Sequence, residues 1–228
     1  MRSIPSIFAI TLSLALTACS EEQAEAPTAP PAKTETARPA VAPDPKPAGD
    51  AGTTNDGADA RTEPFFAQMV LGDVTFQVES PNDSSINQVT VGAERPEGPI
   101  GQMEAEADGT ITNVEIEDLN ADGYPEIYVY VTSTGSGSYG SLIAYASNRN
   151  KSLSQIYLPA IEDDPAISKG YMGHDEFAVG EGTFLRRFPI YKDGDSNAQP
   201  TGGTRQIQYK LEAGEAGWIL RQDRVVEF

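Results

Sequence analysis

Apolar and polar residues alternate one by one through most of the chain beyond residue 62. Val74-Thr75-Phe76-Gln77-Val78 and Ile207-Gln208-Tyr209-Lys210-Leu211 follow this rhythm strictly. Successive side chains of a strand point to opposite faces, so a period of two predicts strands whose faces differ in polarity. Within 126–131, Ile127, Val129 and Val131 fall on one face, and Tyr128 and Tyr130 on the other. Further strands are expected at 65–71, 86–91, 110–117, 142–147, 153–158, 176–179, 183–190 and 218–226. Asp108-Gly109, Asp122-Gly123, Asp193-Gly194 and Gly202-Gly203 supply turn chemistry between them. No window carries a sustained helical stripe with caps. The pattern predicts an all-β domain, an antiparallel β-sandwich or barrel of about eight or more strands.

The first 62 residues are different material. Arg2 precedes an apolar run from Ile4 to Leu16. A spanning helix needs about 20 apolar residues, so this run is too short and fits the core of an export signal. Leu16-Thr17-Ala18-Cys19 closes it. That string resembles the lipobox of bacterial lipoproteins. The resemblance implies a signal peptide over 1–18, lipid on Cys19, and an anchor in the membrane. With Ser20 next, it implies transfer to the outer membrane, with the protein facing the periplasm. The alternative is an ordinary signal peptide that ends in a chance cysteine. Cys19 is the only cysteine. Once it carries lipid, the mature protein has no disulfide, no cysteine nucleophile and no cysteine metal ligand. Residues 20–62 contain no aromatic, and Val41 is their only large aliphatic residue. Such a segment cannot offset its ordering entropy and reads as a disordered tether. As a flexible coil it would reach on the order of 35–40 Å. The expected organisation is therefore 1–18 signal peptide, 19–62 lipidated cysteine and tether, and 63–228 a single β domain.

Charge narrows the partners. The chain holds 34 acidic and 16 basic residues, and 63–228 alone holds 26 and 11. This excess disfavours nucleic acid, whose binding rests on Lys and Arg. It favours a basic protein, a cationic ligand or calcium. His174 is the only histidine. Without a second histidine or a free cysteine a transition-metal site is disfavoured, and no serine lies in a nucleophile elbow. His174 reads as a surface residue and Trp218 as core. The chain reads as a binding protein rather than an enzyme. A glycan hydrolase would need two carboxylates at a productive separation, and nothing in the sequence fixes such a pair.

Three loops are candidates for function. Gly135, Gly137 and Gly140 match the G-x-G-x-x-G spacing of dinucleotide loops. That motif needs a following helix to receive the pyrophosphate. Residues 142–146 are too short for one, so the dinucleotide reading is rejected. A flexible hairpin loop and a recognition loop remain. In the second reading, glycines turn the backbone, serines supply small donors and acceptors, and Tyr139 supplies a large contact with a polar tip. The next loop is Asp118-Leu119-Asn120-Ala121-Asp122-Gly123-Tyr124-Pro125-Glu126. It matches the start of an EF-hand-type calcium loop, with Asp118, Asn120, Asp122, Tyr124 and Glu126 as ligands and Gly123 at the turn. The usual glutamate at the twelfth position is replaced by Val129. A plain Asp-Gly turn is the alternative, with no cofactor at all. The third loop is Asp193-Gly194-Asp195-Ser196-Asn197, followed by Pro200, Gly202 and Gly203, between strands ending at Tyr191 and starting at Thr204. It reads as a solvated turn, or as a second contact beside the Ser/Gly loop.

Asp118 to Val131, running into Ser136-Gly137-Ser138-Tyr139-Gly140-Ser141, resembles the periplasmic inhibitors of I-type (invertebrate-type) lysozymes. The likeness continues through Lys169-Gly170-Tyr171, Asp175-Glu176-Phe177, Arg186-Arg187-Phe188-Pro189-Ile190-Tyr191, Thr201-Gly202-Gly203 and Arg205-Gln206-Ile207, across 66–226. The resemblance implies an antiparallel β fold, often a homodimer, that inserts this loop into the lysozyme cleft. It implies lysozyme contact by Ser136, Gly137, Ser138, Tyr139 and Gly140, with Ser136 and Tyr139 meeting the catalytic groups. The result would be protection of peptidoglycan. A calcium-dependent envelope binding module is the competing expectation. The lipobox and tether depart from the simplest pattern of that family, which is soluble.

Overall fold

A computed structural model describes residues 63–215 and 217–228. The expected signal peptide, the expected lipidated Cys19 and the expected tether lie outside them. The described part contains twelve strands in two sheets. β1 (Phe65–Leu71), β2 (Val74–Ser80), β3 (Ile86–Arg95) and β4 (Gly98–Asp108) form an antiparallel meander. The second sheet runs in the order β5 (Thr110–Glu117), β6 (Glu126–Thr132), β7 (Gly140–Ser147), β8 (Leu153–Tyr157), β12 (Trp218–Glu227), β11 (Thr204–Ala213), β10 (Thr183–Pro189) and β9 (Glu176–Gly180). Its two edges meet. The Glu115 carboxylate on β5 accepts the Val179 N–H of β9 at 2.7 Å, and also bonds the Tyr130 hydroxyl. The sheet is thereby nearly closed, which hides two edges that would otherwise offer unpaired backbone groups.

The all-β expectation holds, with both sandwich and barrel features in one domain. It needs three corrections. The 98–108 strand was not anticipated. Its inward residues include only Ile100, Met103, Ala105 and Ala107, and Glu104 and Glu106 alternate with them. Alanine and glutamate are poor strand formers, so the rhythm was present but weak. The β8–β12 pair is parallel, matching Trp218 to Ile156 and Ile219 to Tyr157, so the second sheet is mixed. Asp108-Gly109 is a corner between sheets rather than a hairpin. Here Asn82 imitates a strand neighbour: its side chain accepts the Ile111 N–H at 2.9 Å and donates to the Ile111 carbonyl at 3.1 Å. A 3-10 turn (Ile161–Asp163) and one helical turn, α1 (Pro165–Ser168), fill the link from β8 to β9.

Two cores result, and β6 serves both. Ile127, Val129 and Val131 join Phe76, Val78, Val89 and Val91 between the sheets. Tyr128 and Tyr130 point the other way, into the barrel, with Phe184, Phe188, Ile207 and Leu220. Tyr128 stacks on Phe184 with ring centroids 5.6 Å apart. Each fully buried large side chain contributes about 1.5–3 kcal/mol. A strand buried on both faces is fixed in register, because a slip of one residue would exchange the two cores. The loops at its two ends are therefore mounted on a strand buried on both faces.

Candidate functional site

Residues 133–139 join β6 to β7, and the pairing of Thr132 with Gly140 closes their base. Inside the loop, the Ser133 N–H donates to the Tyr139 carbonyl and the Tyr139 N–H donates to the Ser133 hydroxyl, both at 2.9 Å. The Ser138 N–H donates to the Gly135 carbonyl at 3.0 Å, which makes a turn at the tip. Ser138 sits at φ +44°, a left-handed conformation that costs energy for a residue with a Cβ. Ser136 and Tyr139 are exposed, Tyr139 to 47%. The Ser136 hydroxyl has no hydrogen-bond partner among the described residues.

Three other segments hold the loop. The Gly140 N–H donates to Asp175 Oδ2 at 2.7 Å. Asp175 also accepts from the Tyr171 hydroxyl and from Arg186 Nε, each at 2.7 Å. The Arg186 and Asp175 side chains are 6% and 0% exposed. Arg186 in turn donates to the Tyr171 hydroxyl at 2.8 Å and covers the Tyr171 ring at 5.3 Å. Burial pushes the Tyr171 hydroxyl's pKa up, against the pull of Arg186, so it stays neutral and donates. Tyr139 leans edge-on against Tyr171, centroids 5.7 Å apart. This contact gives the exposed ring a preferred direction.

Two close approaches require glycine. A Cβ on Gly140 would lie 2.6 Å from the Asp175 Cβ and 2.7 Å from the Phe177 ring. Gly173, at φ +87°, comes so near the loop that a Cβ there would collide with the Gly137 carbonyl at 2.1 Å. This approach lets the His174 N–H donate to Gly137 O at 2.8 Å and to Ser138 O at 3.2 Å. His174 is thus no bare surface residue: it is half-buried, at φ +58°, and its backbone grips the loop.

The 192–203 loop is also more than a solvated turn. Asp195 accepts the Lys192 N–H at 2.7 Å, the Thr201 N–H at 2.8 Å and the Thr201 hydroxyl at 2.9 Å. These donors, the Lys192 amide foremost, hold its carboxyl below the usual range. The loop docks on the Ser/Gly loop through Asn197, whose Nδ2 donates to Ser136 O at 2.5 Å. In the sequence alone Asp175, Arg186 and Tyr171 have no assigned role, and Asn197 is marked only as part of the third candidate loop. No local signal marks them, because their partners lie far away in sequence.

The 118–126 segment lies at the opposite end of β6. Asp118 accepts the Asp122 N–H at 3.0 Å and the Gly123 N–H at 2.8 Å. Asn120 accepts the Asp122 N–H at 2.9 Å, and Asp122 accepts the Tyr124 N–H at the same distance. Glu126 is buried and accepts the Leu119 N–H at 2.7 Å. Burial pushes its pKa up to about 8, against that hydrogen bond, with Asp118 and Asp122 adding to the rise. One oxygen each of Asp118, Asp122 and Glu126 lie within 4.8 Å of one another. Oxygen donors at this spacing suit a hard divalent cation, while the amide bonds are those of a plain Asx turn.

No curated protein sequence matches the chain. One similar solved structure is described as "Crystal structure of Aeromonas hydrophila PliI in complex with Meretrix lusoria lysozyme". The aligned part is 29% identical, covers 40% of this chain and 80% of that one, and has a TM-score of 0.35. The likeness noted from Lys169 onward falls outside the segment that a family model matches. That segment, residues 98–167, carries both loops of β6, and it is similar to the family described as "Periplasmic lysozyme inhibitor of I-type lysozyme".

Proposed function

We propose that this protein inhibits an I-type lysozyme by presenting residues 133–140 to the enzyme's cleft. The family match over 98–167 is the observation that carries the reading. The geometry supports it, because the loop is exposed at its tip and held firmly at its base. A lysozyme cleft uses carboxylates that exchange protons with the substrate. The hydroxyls of the exposed Ser136 and Tyr139 can hydrogen-bond such carboxylates. They offer no glycosidic bond, so nothing is turned over. The acidity of the domain would speed encounter with a basic enzyme, an effect that salt weakens. The chain supplies binding and no catalysis of its own.

The test is turbidity loss of a cell-wall suspension, with I-type, C-type and G-type lysozymes each assayed with and without the protein. Inhibition of the I-type enzyme is expected. If lysis by an I-type enzyme runs at the same rate with excess protein, the proposal fails.

Attachment through lipid on Cys19 belongs to the same proposal, because it would station the inhibitor beside the wall. Cys19→Ala is expected to lose membrane association or to stall processing, as read by fractionation. A processed variant that stays in the membrane fraction would rule out the lipid anchor.

A further inference from the structure

The Ser/Gly loop owes part of its shape to a side chain from another loop. We propose that Asn197 is a positioning residue, whose carboxamide fixes the Ser136 carbonyl and so aims the 136–139 tip before any partner arrives. The inference rests on the reading of this tip as the inhibitory element.

Asn197 Nδ2 donates to Ser136 O at 2.5 Å, and its Oδ1 lies 3.3 Å from His174 Nε2. The amide can face only one way. Turned over, it would set its oxygen against the Ser136 carbonyl, and two acceptors do not bond. With the amide so oriented, Oδ1 faces His174 Nε2 and can accept from it. His174 already holds the next carbonyl, that of Gly137, through its backbone N–H. Consecutive carbonyls of the tip are thus gripped by two different segments, and the His174–Asn197 contact ties those segments together.

The brace is itself anchored. The Asn197 carbonyl accepts the hydroxyl of the buried Tyr191 at 2.9 Å, and Asp195 folds the loop around it. A tip containing Gly135 and Gly137 would otherwise sample many conformations. Ordering it only on binding would cost affinity, and a preformed tip avoids that cost.

The test uses the full-length protein with Asn197→Ala and Asn197→Asp. Aspartate keeps the shape of asparagine, lacks the donor, and faces the Ser136 carbonyl with a charged oxygen. The alanine variant is expected to weaken inhibition about tenfold, and the aspartate variant more. Both are expected to show faster amide exchange across 133–140, with exchange in β6 and the melting temperature unchanged. In a Tyr139→Ala background, Asn197→Ala should add less than it costs alone, since it acts through the tip. Full additivity would mean that Asn197 touches the enzyme itself, and would overturn the proposal. So would unchanged exchange across 133–140, or a general loss of protection in β6. Should the wild type inhibit no lysozyme, the functional reading fails separately, and exchange still decides whether the brace exists.

Discussion

β6 carries a loop at each end, and the two are stabilised in opposite ways. The 118–125 loop satisfies itself: its side-chain oxygens accept amides two to five residues along the chain. The 133–139 loop makes few bonds of its own and is held from outside, by Asp175, His174 and Asn197. Those partners lie 35 to 61 residues away. A self-satisfied turn needs nothing from its surroundings and keeps its shape wherever it is mounted. An externally braced loop can expose its side chains and still be aimed, but it fails when a brace fails. The first design suits a strand connection or a small ion, and the second suits recognition of a large surface.

The sharpest way to break the second loop is through its support. Asp175→Ala would leave the Arg186 charge buried without its carboxylate, and would orphan the Gly140 N–H and the proton of the Tyr171 hydroxyl. Removing one member of a buried pair costs about 3–5 kcal/mol. Denaturant unfolding is expected to show a loss of that size, with inhibition falling as well. A loss below about 1 kcal/mol would mean that the pair is far more hydrated than its burial indicates.

The first loop is probed through Glu126. Its folded pKa, about 8, lies above the ordinary 4.5. The native state then holds a proton that the unfolded state has released. This contribution to stability is complete below about pH 4.5 and is lost as pH rises toward 8. The change is on the order of a few kcal/mol, since one pKa unit is worth about 1.4 kcal/mol. Melting in the presence of a chelator should therefore show stability falling over that range, and Glu126→Gln should flatten the fall. Equal slopes for variant and wild type would refute the shift. Calcium separates the two readings of this loop. A bound ion competes with the proton and stabilises the native state, so millimolar calcium would offset the fall. If the Asx turn is the whole explanation, calcium leaves the curve unchanged.

What could be read from the sequence follows the same division. β2, β6 and β11 declared themselves because each alternates large apolar residues with polar or differently facing ones. β4 did not, since alanine and glutamate carry its alternation. The 118–126 geometry was legible because every bond in it is local. For the other loop, residues 133–141 could be singled out by composition, but their supports could not. Asp175, Arg186 and Asn197 look like ordinary surface charge and polarity until the closing barrel and the 192–203 loop bring them to Gly140 and Ser136. The parallel β8–β12 pair was equally hidden, because pairing between distant strands leaves no mark on the rhythm of either one.

The finest division lies within the exposed tip. Tyr139 offers ring area and a hydroxyl, and its edge contact with Tyr171 already fixes its direction. Tyr139→Ala is expected to weaken inhibition by about 2 kcal/mol or more, roughly thirtyfold, as truncating a central interface tyrosine does. Ser136 offers only a hydroxyl, which has no partner among the described residues, while its carbonyl is held by Asn197. Ser136→Ala leaves that carbonyl in place and is expected to cost about 1–2 kcal/mol, the loss of one hydrogen bond to a carboxylate. Thr134 and Ser141 are exposed but flank the tip, so alanine at either should be near neutral. Circular dichroism should show an unchanged fold in all four, because none of these side chains belongs to either core. The order of effects is the informative part. If Thr134→Ala or Ser141→Ala costs as much as Tyr139→Ala, the contact lies along the flanks and the aimed-tip account is wrong. If Tyr139→Ala and Ser136→Ala both leave inhibition of an I-type lysozyme intact, recognition resides elsewhere on the domain.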